Sequence, residues 1–293
     1  MTARRPILVT GVPRSGTTWL ARQLANASGS SMTGREPMNP HGKQYALGGT
    51  IDAWARIVDP TPKQRRVMRA AFRATTPLVY GRYGHRQWAA AMPWTRIVVK
   101  DPFAMLSISG LYAATSMLPV LVYRHPGAVL ASYRRMGWSP DLGEVEAAVP
   151  PALSADPHEH DVHADPVAAL AWFWATLNQV ALDDLRRVPG ALVVSHTELA
   201  SGGPSAMRVL YAACGLGWND RIEAAVRSAG TGEARSPKAR ANAKGKTLHE
   251  LGRSSTDVAE AWRGKVSAED LQTLDEIAGL TLAALESARL DLS

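Results

Sequence analysis

The stretch GVPRSGTTWL, Gly11 to Leu20, follows the apolar run PILVT and leads into a helical pattern. Small residues, successive backbone N–H groups and a helix N-terminus make a cradle for an anion, helped by about half a positive charge of helix dipole. Thr17 and Thr18 add hydroxyl donors, and Arg14 offers a fork for bridging or terminal oxygens. The spacing Gly11-x-x-x-x-Gly16-Thr17-Thr18 follows the nucleotide template G-x-x-x-x-G-K-[ST], but threonine stands where the template has lysine. That lysine serves the β- and γ-phosphates of ATP, and the hydroxyl after it serves Mg²⁺. The next strand ends in Lys100, where a metal-binding acid would stand. A cradle without that lysine and that acid suits a metal-free anionic donor better than ATP–Mg²⁺.

Four β-rich runs position such a site: Pro6–Gly11, Arg96–Asp101, Pro119–Arg124 and Ala191–His196. Unbroken Val/Ile/Leu runs read as strands covered on both faces, as in a parallel sheet between helices. Helical patterns follow at Thr17–Ala27, Phe103–Ala114, Gly127–Met136 and Ser205–Cys214. The expected fold is therefore α/β, three-layered around a central parallel sheet, with ligands at the carboxyl ends of the strands. We read residues 1–293 as one domain. The insert 31–95, with a helix over Lys63–Thr75, and the acidic, proline-bearing stretch 139–165 would shape an acceptor pocket. Pro166–Val188 reads as a long amphipathic helix, and Ser267–Leu290 as a helix capped by Ser267 with Glu269 and Asp270 in its first turn.

Composition narrows the class. Mean hydropathy is −0.13, and no apolar run approaches the roughly 18–20 residues of a membrane span. The apolar N-terminal run is too short for a secretory signal. One cysteine, Cys214, gives no intrachain disulfide and no cysteine-based metal cage. A cytoplasmic enzyme is expected. The net charge of +7 favours anionic partners, but the basic residues are dispersed and not interleaved with aromatics as in a nucleic-acid stripe. His158, His160 and His163 lie in a proline-flanked loop without H-E-x-x-H spacing, so no metal site is expected. Ser15 runs directly into Gly16 and makes no G-x-S-x-G hydrolase elbow.

PRSGTTWL resembles the 5′-phosphosulfate loop of sulfotransferases that use 3′-phosphoadenosine 5′-phosphosulfate (PAPS), commonly written P-K/R-S/T-G-T-T-W/L. LVYRHPGAVLASYRR resembles that family's 3′-phosphate motif, in which an arginine closes a strand and a serine follows eight residues later, here Arg124 and Ser132. KDPF at Lys100–Phe103, SSTD at Ser254–Asp257 and AWRGK at Ala261–Lys265 extend the similarity to the tyrosylprotein and related sulfotransferases, which also carry arginine in the loop. The acceptor-facing inserts do not match.

The resemblance implies the P-loop-like sulfotransferase fold and a set of roles. Arg14 and Lys100, with the backbone of Ser15, Gly16, Thr17, Thr18 and Trp19, would hold the 5′-phosphosulfate and stabilise the leaving oxygen. Arg124 and Ser132 would hold the 3′-phosphate. Glu36, 22 residues past Arg14, would be the base, with His41 and His85 as runners-up because an imidazole suits the task. Arg263 and Lys265 would close over the 3′-phosphate as part of a donor-closing segment 229–266. Ala261 replaces the lysine that relatives carry there. Ser255 resembles a serine that helps hold the reacting group, at a shorter spacing to Trp262. His196 takes the place of a tyrosine and either stacks on adenine or acts as a capping or core histidine.

The resemblance implies PAPS-dependent O-sulfation of a small-molecule alcohol, phenol, natural product or glycan, without a metal. The expected partner is that hydroxyl acceptor, not nucleic acid or a membrane, with a homodimer left open. A protein tyrosine acceptor is disfavoured, since those enzymes usually carry an anchor and disulfides. The rivals are a small-molecule kinase and a non-catalytic module that binds PAPS.

Overall fold

A computed structural model describes residues 5–231 and 261–292. Six strands form one sheet: β1 Ile7–Thr10, β2 Ser30–Gly34, β3 Tyr80–His85, β4 Arg96–Lys100, β5 Leu118–Tyr123 and β6 Leu192–Ser195. Their spatial order is β3-β2-β4-β1-β5-β6. All neighbours are parallel except β2 and β3, which run antiparallel. The four apolar runs are four of the strands. The other two come from the insert 31–95, expected to carry helices and pocket wall. Ser30–Gly34 (SSMTG) and Tyr80–His85 (YGRYGH) lack the Val/Ile run that marks a doubly covered strand. β3 is an edge strand and only half-buried.

Period-two alternation sends the strand side chains to two cores. Ile7, Val9, Met32, Val98, Val120, Val122 and Val194 face one layer of helices, α1 Thr17–Leu24, α8 His196–Ala213 and α9 Asp220–Thr231. Leu8, Val99, Leu121, Tyr123 and Val193 face the other, which includes α3 Pro62–Phe72, α4 Ile108–Thr115, α5 Pro126–Met136 and α7 Pro166–Leu185. The short helices α2 Ala46–Gly49 and α6 Leu142–Ala148 lie in the two irregular stretches.

Helix α10, Ala268–Ala288, packs along α7 and covers it, so α7 is buried around most of its circumference rather than amphipathic. Trp172 and Trp174 are therefore both buried, and each indole N–H finds a carbonyl: Ala155 O at 3.0 Å and Arg124 O at 3.1 Å. A capping box starts α10: Ser267 Oγ accepts from Asp270 N at 3.1 Å, and the Asp270 carboxylate accepts from Ser267 N at 3.0 Å. The helix expected from Phe103 begins instead as a 3₁₀ segment, Pro102–Ser107, capped by Asp101. Helix α8 starts nine residues before the expected Ser205, and Gly203 and Pro204 break its geometry inside. Among the described residues, no helix is long and apolar enough to cross a membrane.

Candidate active site

Because β2, β4, β1, β5 and β6 are parallel neighbours, their carboxyl ends form one edge. Glu36, Lys100, the Gly11–Gly16 loop, Arg124 and His196 follow those five strands in that spatial order. With about 4.8 Å between strands, four spacings make the edge roughly 19 Å long.

At its centre the chain turns from β1 into α1. Gly16 has φ +93°, in the left-handed region, and a Cβ there would lie 2.8 Å from His196 Nε2. Only glycine avoids both the strain and the clash. Arg14 adopts φ +80°, rare for a residue with a side chain and a form of strain that folds concentrate at ligand sites. Helix α1 has no side-chain cap and no acid in its first turn, so its N-terminal amides are not neutralised locally.

Three buried polar atoms surround this turn without a hydrogen-bond partner among the described residues: Ser15 Oγ, Trp19 Nε1 and His196 Nδ1. Groups of this kind are rare in folded proteins and are commonly completed by a ligand or water. Trp19 and His196 meet edge to face at 5.3 Å between ring centroids. Burial, and then the Arg124 charge, lowers the His196 pKa to about 3, so the imidazole is neutral. The side chain is seated under the loop at 5% exposure, as a core histidine would be.

On one side of the loop stands Arg124, just past β5, with Ser132 two turns along α5. Arg14 Nε donates to Ser132 Oγ at 3.0 Å across 118 residues of sequence. The Arg14 guanidinium also lies over the Trp138 ring, 5.6 Å from its centroid. Arg124, Ser132, Arg135, Trp262 and Lys265 are among the residues lining a cavity of about 280 Å³. Trp262 stacks on His125 at 4.5 Å and lies against Gly127, where a Cβ would come within 2.9 Å of its ring. Of the two C-terminal cations expected here, Lys265 lines the cavity, whereas Arg263 packs over the Trp262 ring at 5.1 Å. Arg134 and Arg135, not anticipated from the sequence, also line it. Arg134 is held by a bidentate pair with Asp270, at 2.6 and 2.8 Å.

On the other side, Lys100 Nζ forms an ion pair with Glu36 Oε1, and both side chains are largely buried. Asn39 Nδ2 donates to the second oxygen of Glu36, and Glu36 N donates to Gln44 Oε1 at 3.0 Å. Asp101, fully buried, accepts from Phe103 N at 3.0 Å and from Met38 N. Burial first, and the nearby Glu36 charge second, push the Asp101 carboxyl well above the usual range. Neither Asn39 nor Asp101 was singled out by the sequence reading, although Asp101 lies inside KDPF.

His41 lies close to Asn39 but is turned to Glu144, 3.5 Å from its Nε2. His85 does not reach the site. Its strand runs antiparallel to β2, pairing His85 with Met32 and Tyr80 with Gly34, which carries His85 back from the carboxyl edge. Ser255 and the rest of Ser254–Asp257 lie outside the described residues. His158, His160 and His163 each meet a different carboxylate, Asp156, Glu276 and Glu146.

The family model described as "Sulfotransferase family" matches residues 6–220. No curated protein sequence matches the chain. Among solved structures, the chain is similar to a mouse sulfotransferase, SULT7A1, complexed with PAP. Identity is 14%, covering 97% of this chain and 89% of that one, with a TM-score of 0.52. It is also similar to a sulfotransferase domain from the curacin biosynthetic pathway, at 14% identity over 93% and 96% of the two chains with a TM-score of 0.48. At such identities the mouse structure speaks for the fold alone, and the loop, the strand order and the family match agree: the chain belongs to the sulfotransferase family.

Proposed function

We propose that the chain transfers a sulfuryl group from PAPS to a hydroxyl of a small molecule, releasing 3′,5′-adenosine bisphosphate (PAP). The observation that carries this reading is the Arg14 Nε–Ser132 Oγ hydrogen bond. It makes one continuous basic site of the loop after β1 and the cavity beside α5, so an anion at each can belong to one molecule. The orphaned Ser15 Oγ and the uncapped start of α1 fit a 5′-phosphosulfate. The cavity lined by Arg124, Ser132, Arg135 and Lys265 fits a 3′-phosphate. The mouse neighbour, solved with PAP, supports the same donor.

In this reading the acceptor oxygen attacks sulfur in line with the bridging oxygen of the 5′-phosphate. The S–O bond to that oxygen breaks, and PAP leaves with the electron pair. Catalysis of a loose displacement rests on positioning and on cations aimed at the leaving oxygen. Arg14 and Lys100 take that role, with the backbone N–H groups of Ser15, Gly16, Thr17 and Thr18. Glu36 takes the acceptor proton. Its pairing with Lys100 supports it over His41 and His85. Lys265 closes the 3′-phosphate cavity. His196 supports the loop from beneath rather than stacking on adenine.

Calorimetric titration with PAP, beside ATP–Mg²⁺, tests the reading. Wild type binds PAP, and Arg124→Ala weakens that binding about 10- to 100-fold, as expected for a charge-assisted contact. Binding of ATP–Mg²⁺ without PAP would overturn the reading and favour a kinase. PAP binding without turnover of PAPS on any hydroxyl acceptor would favour a binding module.

A further inference from the structure

We propose that Asp101 is a positioning residue that ties the loop bearing Glu36 to the end of β4, so that the base is presented beside Lys100. Its carboxylate joins both segments through their backbone, beside the Lys100–Glu36 ion pair. One oxygen accepts from Phe103 N at 3.0 Å and the other from Met38 N, two residues past Glu36. The Asp101 backbone is anchored to β1: its N–H donates to Val9 O at 3.0 Å, and its carbonyl accepts from Thr10 Oγ1 at 2.8 Å. The node therefore fixes Glu36 and Lys100 relative to the strand that feeds the Gly11–Gly16 loop.

At 1% exposure Asp101 is screened from water, so substrate cannot reach it and it acts only through what it holds. Its burial is costly for a carboxylate, which the two N–H donors partly offset. An apolar residue would avoid that cost but could not fix the Met38 N–H. Asn39 and Gln44 hold Glu36 from within the same loop, whereas from the end of β4 Lys100 reaches Glu36 itself and Asp101 holds the backbone two residues on. Misplacing a catalytic group by about 1 Å can cost about 10²-fold in rate, which sets the expected effect.

The proposal rests on Glu36 being the base in the sulfuryl-transfer reading, and the test separates the two. Asp101→Ser keeps a short acceptor for Phe103 N, as serine does at helix starts, and removes the reach to Met38. Hydrogen exchange, which needs no turnover, is expected to rise at least about 10-fold at residues 36–39 in Asp101→Ser. Exchange at Gly11–Leu20 and the affinity for PAP stay within about 3-fold of wild type. In PAPS turnover, with water or a panel of phenols and alcohols as acceptor, kcat falls about 10²-fold with little change in KM for PAPS. In a Glu36→Gln background the same substitution costs nothing further, because its effect runs through Glu36.

Unchanged exchange at 36–39, or an equal rate loss in the Glu36→Gln background, would overturn the proposal. If Asp101→Ser fails to melt cooperatively, Asp101→Asn, which keeps an acceptor oxygen and the side-chain length, carries the same cycle. Absence of PAP binding in wild type would sink the sulfuryl-transfer reading instead, and the exchange result would still decide whether Asp101 holds the loop.

Discussion

Lys100 at the end of β4 and Glu36 just past β2 form an ion pair, although 64 residues separate them in sequence. The pairing follows from the parallel alignment of β2 with β4, which sets Met32 beside Val98 and carries both chains off the sheet at the same edge. It brings a carboxylate and a cation together in a largely buried place, next to the strand that leads into the Gly11–Gly16 loop.

Removing either member should stop chemistry without emptying the donor site. Glu36→Gln and Lys100→Ala are each expected to lower kcat about 10²- to 10³-fold, the usual effect of losing a group that acts on developing charge. PAP affinity should stay near wild type for Glu36→Gln. Steady-state assays paired with calorimetry check this, and a large loss of PAP affinity in Glu36→Gln would place that residue in donor binding instead.

Arg124 and Ser132 should read the 3′-phosphate. Arg124→Ala and Ser132→Ala are expected to weaken PAP while leaving the affinity for 5′-AMP, which lacks that phosphate, within about 3-fold. A charged hydrogen bond contributes about 1.5–3 kcal/mol, so the larger loss belongs to Arg124. Competition binding with the two nucleotides measures the difference, and equal losses for both would argue against the assignment.

Gly127 gives a geometric test of how the C-terminal segment docks. A Cβ at this position would stand 2.9 Å from Trp262 Cε3, so Gly127→Ala must displace the indole from its stack on His125. Overpacking of this kind typically costs about 1–3 kcal/mol. Denaturant melts should register that loss, and PAP should bind more weakly because Trp262 and Lys265 share the cavity with Arg124.

His196 should make the fold acid-sensitive. Its pKa is lowered from 6.5 to about 3 by burial and Arg124, so between those values the unfolded chain binds the extra proton. The stability it contributes is complete above about pH 6.5 and is lost as pH falls towards 3. Asp101, pushed upward, acts with the opposite sign, so the informative comparison is wild type against His196→Gln. Denaturant midpoints from pH 4 to 7 should slope less steeply in the variant, and identical slopes would rule out His196 as the cause.

Much of this was legible in the chain because it is local. Apolar runs of four to six residues can be little else than covered strands, and four of the six strands were found that way. The cradle is contiguous from Gly11 to Leu20, so its spacing shows it, and Arg124 and Ser132 lie within one strand–helix unit, short enough for the family resemblance to mark them. The strands Ser30–Gly34 and Tyr80–His85 escaped because Ser, Gly, Tyr and Arg carry no burial signal. They are strands by virtue of what they pair with.

The sequence by itself determined the α/β class and the glycine-bearing loop after the first strand, and through a family resemblance it pointed to Arg124, Ser132 and Glu36 as candidates. Each rests on residue types within short stretches of chain, Glu36 lying 22 residues past Arg14. Only the tertiary structure decided that β3 runs antiparallel at the edge, which removes His85 from the site, and that His196 sits beneath Gly16. It also decided that Arg14 meets Ser132, that Lys100 meets Glu36 and that Asp101 ties down Met38. Those contacts span 118, 64 and 63 residues, and their partners are set by strand order and register, which no local pattern encodes.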